Sequence, residues 1–153
     1  MLDKILQQGH LILIENYQFQ DGNGSKDKFL IVLNRNDEFA YIIHTLTTSQ
    51  NKLQLPSENF GCSVSRNIPY FFIQKNTALG EHQFSFDKDT FIFFRNNVRK
   101  ENLASFLKYN ENTIIVKEKL PKLFLKRLLK CMLKSDFIDL NIEKELILIK
   151  EQL

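Results

Sequence analysis

Short apolar runs, each closed by a turn signal, fill the chain as far as Pro121 and set the strongest constraint on its fold. HLILIENYQF (residues 10–19), KFLIVLN (28–34), EFAYIIHTL (38–46), NIPYFFIQ (67–74), DTFIFF (89–94) and NTIIVKEKL (112–120) each read as a strand. Gly9, QDGNGSKD (20–27), RND (35–37) and FSFDKD (84–89) punctuate them, and residues 47–60 are polar and turn-rich around Pro56. The first three runs predict an antiparallel meander that sets residues 11–14 beside residues 29–33.

Helical signals come late. RKENLASFLKY (99–109) reads as a short helix, and Pro121 opens a longer one, PKLFLKRLLKCMLKSDFI (121–138). There Leu125, Leu128, Leu129 and Met132 share one face while Lys122, Lys126 and Lys130 share another. LNIEKELILIK (140–150) fits either a helix or a closing strand. The expected fold is mainly β with α: one domain over residues 1–153, a small twisted antiparallel barrel with short helices and a basic C-terminal helix.

Fourteen phenylalanines and no tryptophan predict a core heavy in Phe. Cys62 and Cys131 are too few for a disulfide framework and are expected as small buried thiols in a reducing compartment. MLDKILQQGH is short, charged and interrupted by Gly9, so no signal peptide is expected. No apolar run reaches bilayer length, and the expected location is the cytoplasm. The net charge of +3 permits an anionic partner without demanding one. Charge concentrates between residues 117 and 134, where seven basic side chains accompany only Glu118. That segment suits a solvated helix face, a nucleic-acid contact, or a contact with a membrane or acidic protein surface.

Paired Cys-x-x-Cys, His-Glu-x-x-His, a phosphate-cradling glycine loop and a nucleophile elbow are all absent. GNGS reads as a mobile connection. His10, His44 and His82 are scattered, so no metal site is expected. His44 alternates within an apolar strand and is expected on its exterior face. By themselves Thr47, Thr48 and Ser49 would hold a turn through their own backbone, and Lys26 and Lys28 would edge a solvated loop.

The order of these pieces carries a resemblance. Gly9 with an apolar strand, a loop, SKDKFLIVLN, another strand and then TTSQNKLQLP resembles the MazF/PemK family of toxin endoribonucleases over residues 9–56, and weakly over 89–133. His10 stands where that family has aspartate, Lys28 where it has arginine and Phe29 where it has proline. Lys26 agrees with its first basic residue, and Thr48 and Ser49 with its threonine-serine turn.

The resemblance implies an SH3-like barrel, a homodimer, and metal-independent, cofactor-free cleavage of single-stranded RNA, neutralised by an antitoxin protein. Lys28 and Thr48 would then stabilise the phosphorane, with His10 or His44 as the base. Lys26, Ser49, Lys122, Lys126 and Lys130 would contact RNA phosphates. Two other classes stand beside this one: a catalytically silent barrel that binds nucleic acid or a partner protein, and a structural scaffold.

Overall fold

In the computed structural model, which describes residues 2–18, 24–49 and 57–153, the first three apolar runs form the meander their pattern predicts. After a short helix α1 (Leu2–Ile5), β1 (His10–Gln18) pairs antiparallel with β2 (Ser25–Asn36), and β2 with β3 (Tyr41–Leu46). Leu11 lies opposite Ile31 and Leu13 opposite Phe29. The chain continues through β4 (Thr48–Ser49), β5 (Phe60–Ser65), β6 (Ile68–Ile73), β7 (Thr90–Phe93), β8 (Val98–Asn102) and β9 (Ile114–Lys119). Two helices follow, α2 (Lys122–Met132) and α3 (Leu140–Gln152).

The described strands form two antiparallel sheets, ordered β8-β3-β2-β1-β9 and β4-β7-β6-β5. The fold is therefore mainly β with a few short helices. The chain changes sheets at Thr47, whose N–H donates to the Phe29 carbonyl at 3.1 Å before Thr48 pairs with Phe91. Among the described residues no helix is long and apolar enough to cross a membrane.

The middle of the five-stranded sheet, β1 to β3, is buried on both faces because these strands are apolar at successive positions, not only at alternate ones. Leu11, Ile31, Leu33 and Ile43 join one core with Phe71, Ile92 and the apolar stripe of α2. Ile12, Ile14, Leu30, Val32 and Ile42 join a second core, roofed by Leu6, Phe106 and Tyr109. Side chains alternate between faces along a strand, so neighbouring residues of β2 serve different cores.

α2 confirms the helical spacing. Leu125, Leu128, Leu129 and Met132 are buried, while Lys122, Lys126 and Lys130 are exposed. Pro121 occupies the N-cap, one residue ahead of the expected position. Phe124 packs edge-on against Phe71, their centroids 5.3 Å apart. Truncating Leu128, which is fully buried, to alanine would cost about 2–5 kcal/mol.

Several expectations are corrected. Residues 99–109 do not form one helix: β8 ends at Asn102 and a 3₁₀ turn covers Leu103–Phe106. Leu103 and Phe106 cap the second core and Glu101 faces His44, which ties the segment to the sheet and not to a free helix. The open choice for residues 140–150 resolves to a helix, with Asp139 capping it by accepting from the Asn141 N–H at 2.8 Å. Residues 60–65, read as part of a polar connection and the region after it, form β5. His44 is fully buried, not exterior. Cys62 and Cys131 are not free thiols but a disulfide between β5 and α2. Of the expected loop of residues 20–27, residues 20–23 fall outside the described residues, and Ser25–Asp27 are not loop but the start of β2; residues 50–56 of the threonine-serine segment also fall outside.

Candidate nucleic-acid interface

A bulge in β1 sets the geometry of the basic end of the sheet. Ile14 pairs with Lys28 and Tyr17 with Lys26, so Glu15 and Asn16 together oppose Asp27 alone. Asn16 adopts a positive φ of 56°, and its N–H donates to the Asp27 carboxylate at 3.0 Å. The extra residue restores phase: Tyr17 returns to the face of Ile14, and Lys26 and Lys28 lie on that same face. β8 adds a further cation there, because Arg99 pairs with His44 and both share the face of Ile42.

Lys28 is half-buried, and its ammonium donates to the Thr47 carbonyl at 3.2 Å. Burial pushes its pKa below the ordinary lysine value, and the charges of Lys26 and Arg99 push it further the same way. Three cations repelling one another around a partly desolvated ammonium make a site that an anion relieves. The adjoining cleft, about 260 Å³, is lined by Lys26, Asp27, Lys28, Phe29, Thr47, Ser49 and Lys88. Asp27 tempers the charge at the rim.

Arg99 also reaches Tyr17, donating from Nη1 to the phenol oxygen at 2.9 Å. Burial raises the Tyr17 pKa, the nearby Glu101 carboxylate raises it further, and Arg99 opposes both. Tyr17 stacks on Tyr109, with centroids 6.1 Å apart and planes 15° from parallel. Lys108 lies 5.2 Å from the Tyr109 ring centroid. Tyr109 is half-buried, so an aromatic edge borders the cationic group.

The same face carries a buried acid-base pair. His44 Nε2 and Glu101 Oε1 are 2.7 Å apart, and the imidazole meets Phe106 edge-on at 6.0 Å. Burial raises the Glu101 pKa, but the hydrogen bond and charge of His44, with Arg99 and Lys108, outweigh it and hold the carboxyl low. His44 Nδ1 is buried without a hydrogen-bond partner among the described residues.

The predicted site residues separate into groups. Lys26, Lys28 and Ser49 line one cleft. Thr48 does not line it: Thr47 and Ser49 do, and Thr48 pairs with Phe91, whose ring belongs to the cluster on the far face of the four-stranded sheet. His10 sits at the other end of the β1–β2 ladder, four positions along β1 from Ile14, and its Nδ1 lies 2.6 Å from the Ile5 carbonyl. At about 3.3 Å per residue that is roughly 13 Å from the level of Lys28. Lys122, Lys126 and Lys130 do not line the Lys28 cleft. Their helix buries its stripe in the core on the opposite face of β2 from Lys28. Among the described residues no group of three or more His, Cys, Asp or Glu side chains is arranged to hold a metal ion.

Arg99, Lys88 and Tyr17 are the functional candidates that sequence reasoning missed. Arg99 opened a segment read as helix, and Lys88 sat inside a turn signal. Nothing local in the sequence marks either as a neighbour of Lys28. No protein-family model matches this chain, and no curated protein or solved structure is significantly similar to it.

Proposed function

We propose that this protein binds single-stranded RNA, with Lys28 at the centre of a phosphate-binding face. The observation that carries the reading is the convergence of Lys26, Lys28 and Arg99 on one face of the sheet, with Lys88 and the Ser49 hydroxyl across the cleft. A backbone phosphate placed there would satisfy charges that otherwise repel. The half-buried Tyr109 ring, stacked on the buried Tyr17, offers an aromatic edge beside it for a base.

The test is anisotropy of labelled, mixed-sequence single-stranded RNA across a salt series. With four cations engaged, the log-log salt slope should be about −2 to −3. Lys28→Ala and Arg99→Ala should each weaken binding at low salt. Binding that neither variant alters, or that ignores salt, would remove the reading.

A second reading is metal-independent cleavage of that RNA. It is favoured by the lowered pKa of Lys28, which brings its ammonium closer to a proton-transfer role in the cleft that Ser49 also lines. The attack would come from the ribose 2′-hydroxyl, leaving a 2′,3′-cyclic phosphate and a 5′-hydroxyl. His10 contributes nothing to this reading from its position, and Lys28 would serve both as charge and as proton carrier. SH3-like closure of the sheets, a homodimer, an antitoxin partner and a cytoplasmic location belong to the same toxin-like reading. Incubation with RNA in EDTA, with the product ends mapped, separates cleavage from binding alone.

A further inference from the structure

Away from the Lys28 face, Cys62 and Cys131 join β5 to α2 through a disulfide, their Cα atoms 5.5 Å apart and 69 positions apart in sequence. The two halves differ in access. Cys62 is solvent-exposed, whereas Cys131 is only 1% exposed and packs in the core with α2. Both line a cleft of about 190 Å³ whose other walls are Glu58, Gly61, Arg127, Lys130 and Lys134. Arg127 precedes Cys131 by one turn of α2, Lys130 is its neighbour in that helix and Lys134 follows just past the helix end, so all three cations line its cleft. Arg127 is further held by the Phe60 ring, 5.4 Å from its centroid. Against three cations the cleft sets a single carboxylate, Glu58.

We propose that this disulfide is a thiol-exchange site that selects small thiols bearing carboxylates. The cationic walls concentrate such a thiol, and access directs its thiolate to the Cys62 sulfur. A new S–S bond forms between the incoming sulfur and Cys62 as the Cys62–Cys131 bond breaks. The electron pair leaves on Cys131 as a thiolate, next to the helix cations, and takes a proton from solvent. The modified Cys62 carries the thiol as a mixed disulfide, and α2 loses its covalent tie to β5. A second thiol completes reduction by attacking that mixed disulfide, leaving two free cysteines and one oxidised small-molecule disulfide.

The test uses the full chain with glutathione, 2-mercaptoethanol and cysteamine as anionic, neutral and cationic probes. Rates are compared per thiolate at low salt, and adducts are located by peptide mapping. Glutathione should react about tenfold faster than cysteamine. The preference should collapse in about 1 M salt and in a Lys130→Gln, Lys134→Gln variant, both positions being exposed. The adduct should appear on the peptide carrying Cys62. Equal rates for the three probes, adducts on Cys131, or two titratable thiols in denatured, unreduced protein would each overturn the proposal. Should the double variant fail to fold, the salt dependence of the native chain decides.

Discussion

The Lys28 ammonium donates to the carbonyl of Thr47, 3.2 Å away, at the residue where the chain leaves one sheet for the other. The same residue's N–H donates to the Phe29 carbonyl at 3.1 Å. Cleft and sheet crossover are thus bonded to each other, and the position of the charge is fixed by backbone on both sides.

Replacing that lysine tests charge against geometry. Lys28→Ala should weaken RNA binding by about tenfold at low salt, and less at high salt, as loss of one charge-assisted phosphate contact predicts. Lys28→Arg should retain most of the affinity, because a guanidinium keeps the charge and can grip a phosphate with two donors. Anisotropy titrations of the two variants beside the native chain make the check, with circular dichroism establishing that each is folded.

The same lysine predicts a pH dependence. Its pKa is depressed in the folded protein. Its charged form therefore disfavours folding at neutral pH, and stability should rise as pH climbs through the lowered value toward the unfolded one. RNA affinity should move oppositely, since phosphate binds the charged form. The loss should begin below the 10.5 expected of an ordinary lysine. In Lys28→Arg that alkaline loss should disappear, which binding isotherms over pH 7.5–10 would reveal.

Glu118, the one acid in the basic segment, holds a loop. Its carboxylate accepts from the N–H groups of His82, Phe84 and Lys119 at 3.2, 3.1 and 2.9 Å. Burial raises its pKa, but these bonds outweigh burial and lower it. Glu118→Gln should destabilise the fold by about 2–3 kcal/mol in urea titrations. The native chain should lose this advantage as pH falls through the lowered folded value, and the two proteins should converge in acid. Gly80→Ala should destabilise it as well, because a Cβ there would meet Glu118 and the Lys119 carbonyl at 2.7 Å.

Reduction of Cys62–Cys131 should lower stability by up to about 4 kcal/mol, the loop-closure value for a separation of this length. A lower urea midpoint in reductant, absent in a Cys62→Ser, Cys131→Ala variant, would establish that the bond and not the reductant is responsible.

The meander and α2 were legible because each follows a period that one stretch of chain displays. β2 reads as continuous apolar sequence, and α2 repeats leucine every three or four residues. β5 was missed because FGCSVS has few large apolar side chains and sits half in water. β8 was misread because RKEN is charged and leads into LASFLKY, while its pairing with β3 is set by the sheet. Lys26, Lys28 and Ser49 could be grouped from sequence order. Choosing Thr48 over Thr47 failed to anticipate where the chain crosses between sheets, since that crossover sets the Thr47 carbonyl against Lys28 and pairs Thr48 with Phe91. The pairing of Cys62 with Cys131 likewise depends on α2 packing over β5, which no local pattern encodes.

Burial of the central strands β1 to β3 on both faces has a thermodynamic consequence. Leu30 and Val32 belong to one core and Ile31 to the other, yet all three lie on β2 and share its hydrogen-bond ladders, with Leu33, of the same core as Ile31, at the adjoining bulge. Neither core can melt while the other stays intact, because loosening either frees the strand that both require. The amides of its buried centre, residues 30–33, should open only with the whole molecule, so their exchange with solvent should report global stability and show the two cores to be a single cooperative unit.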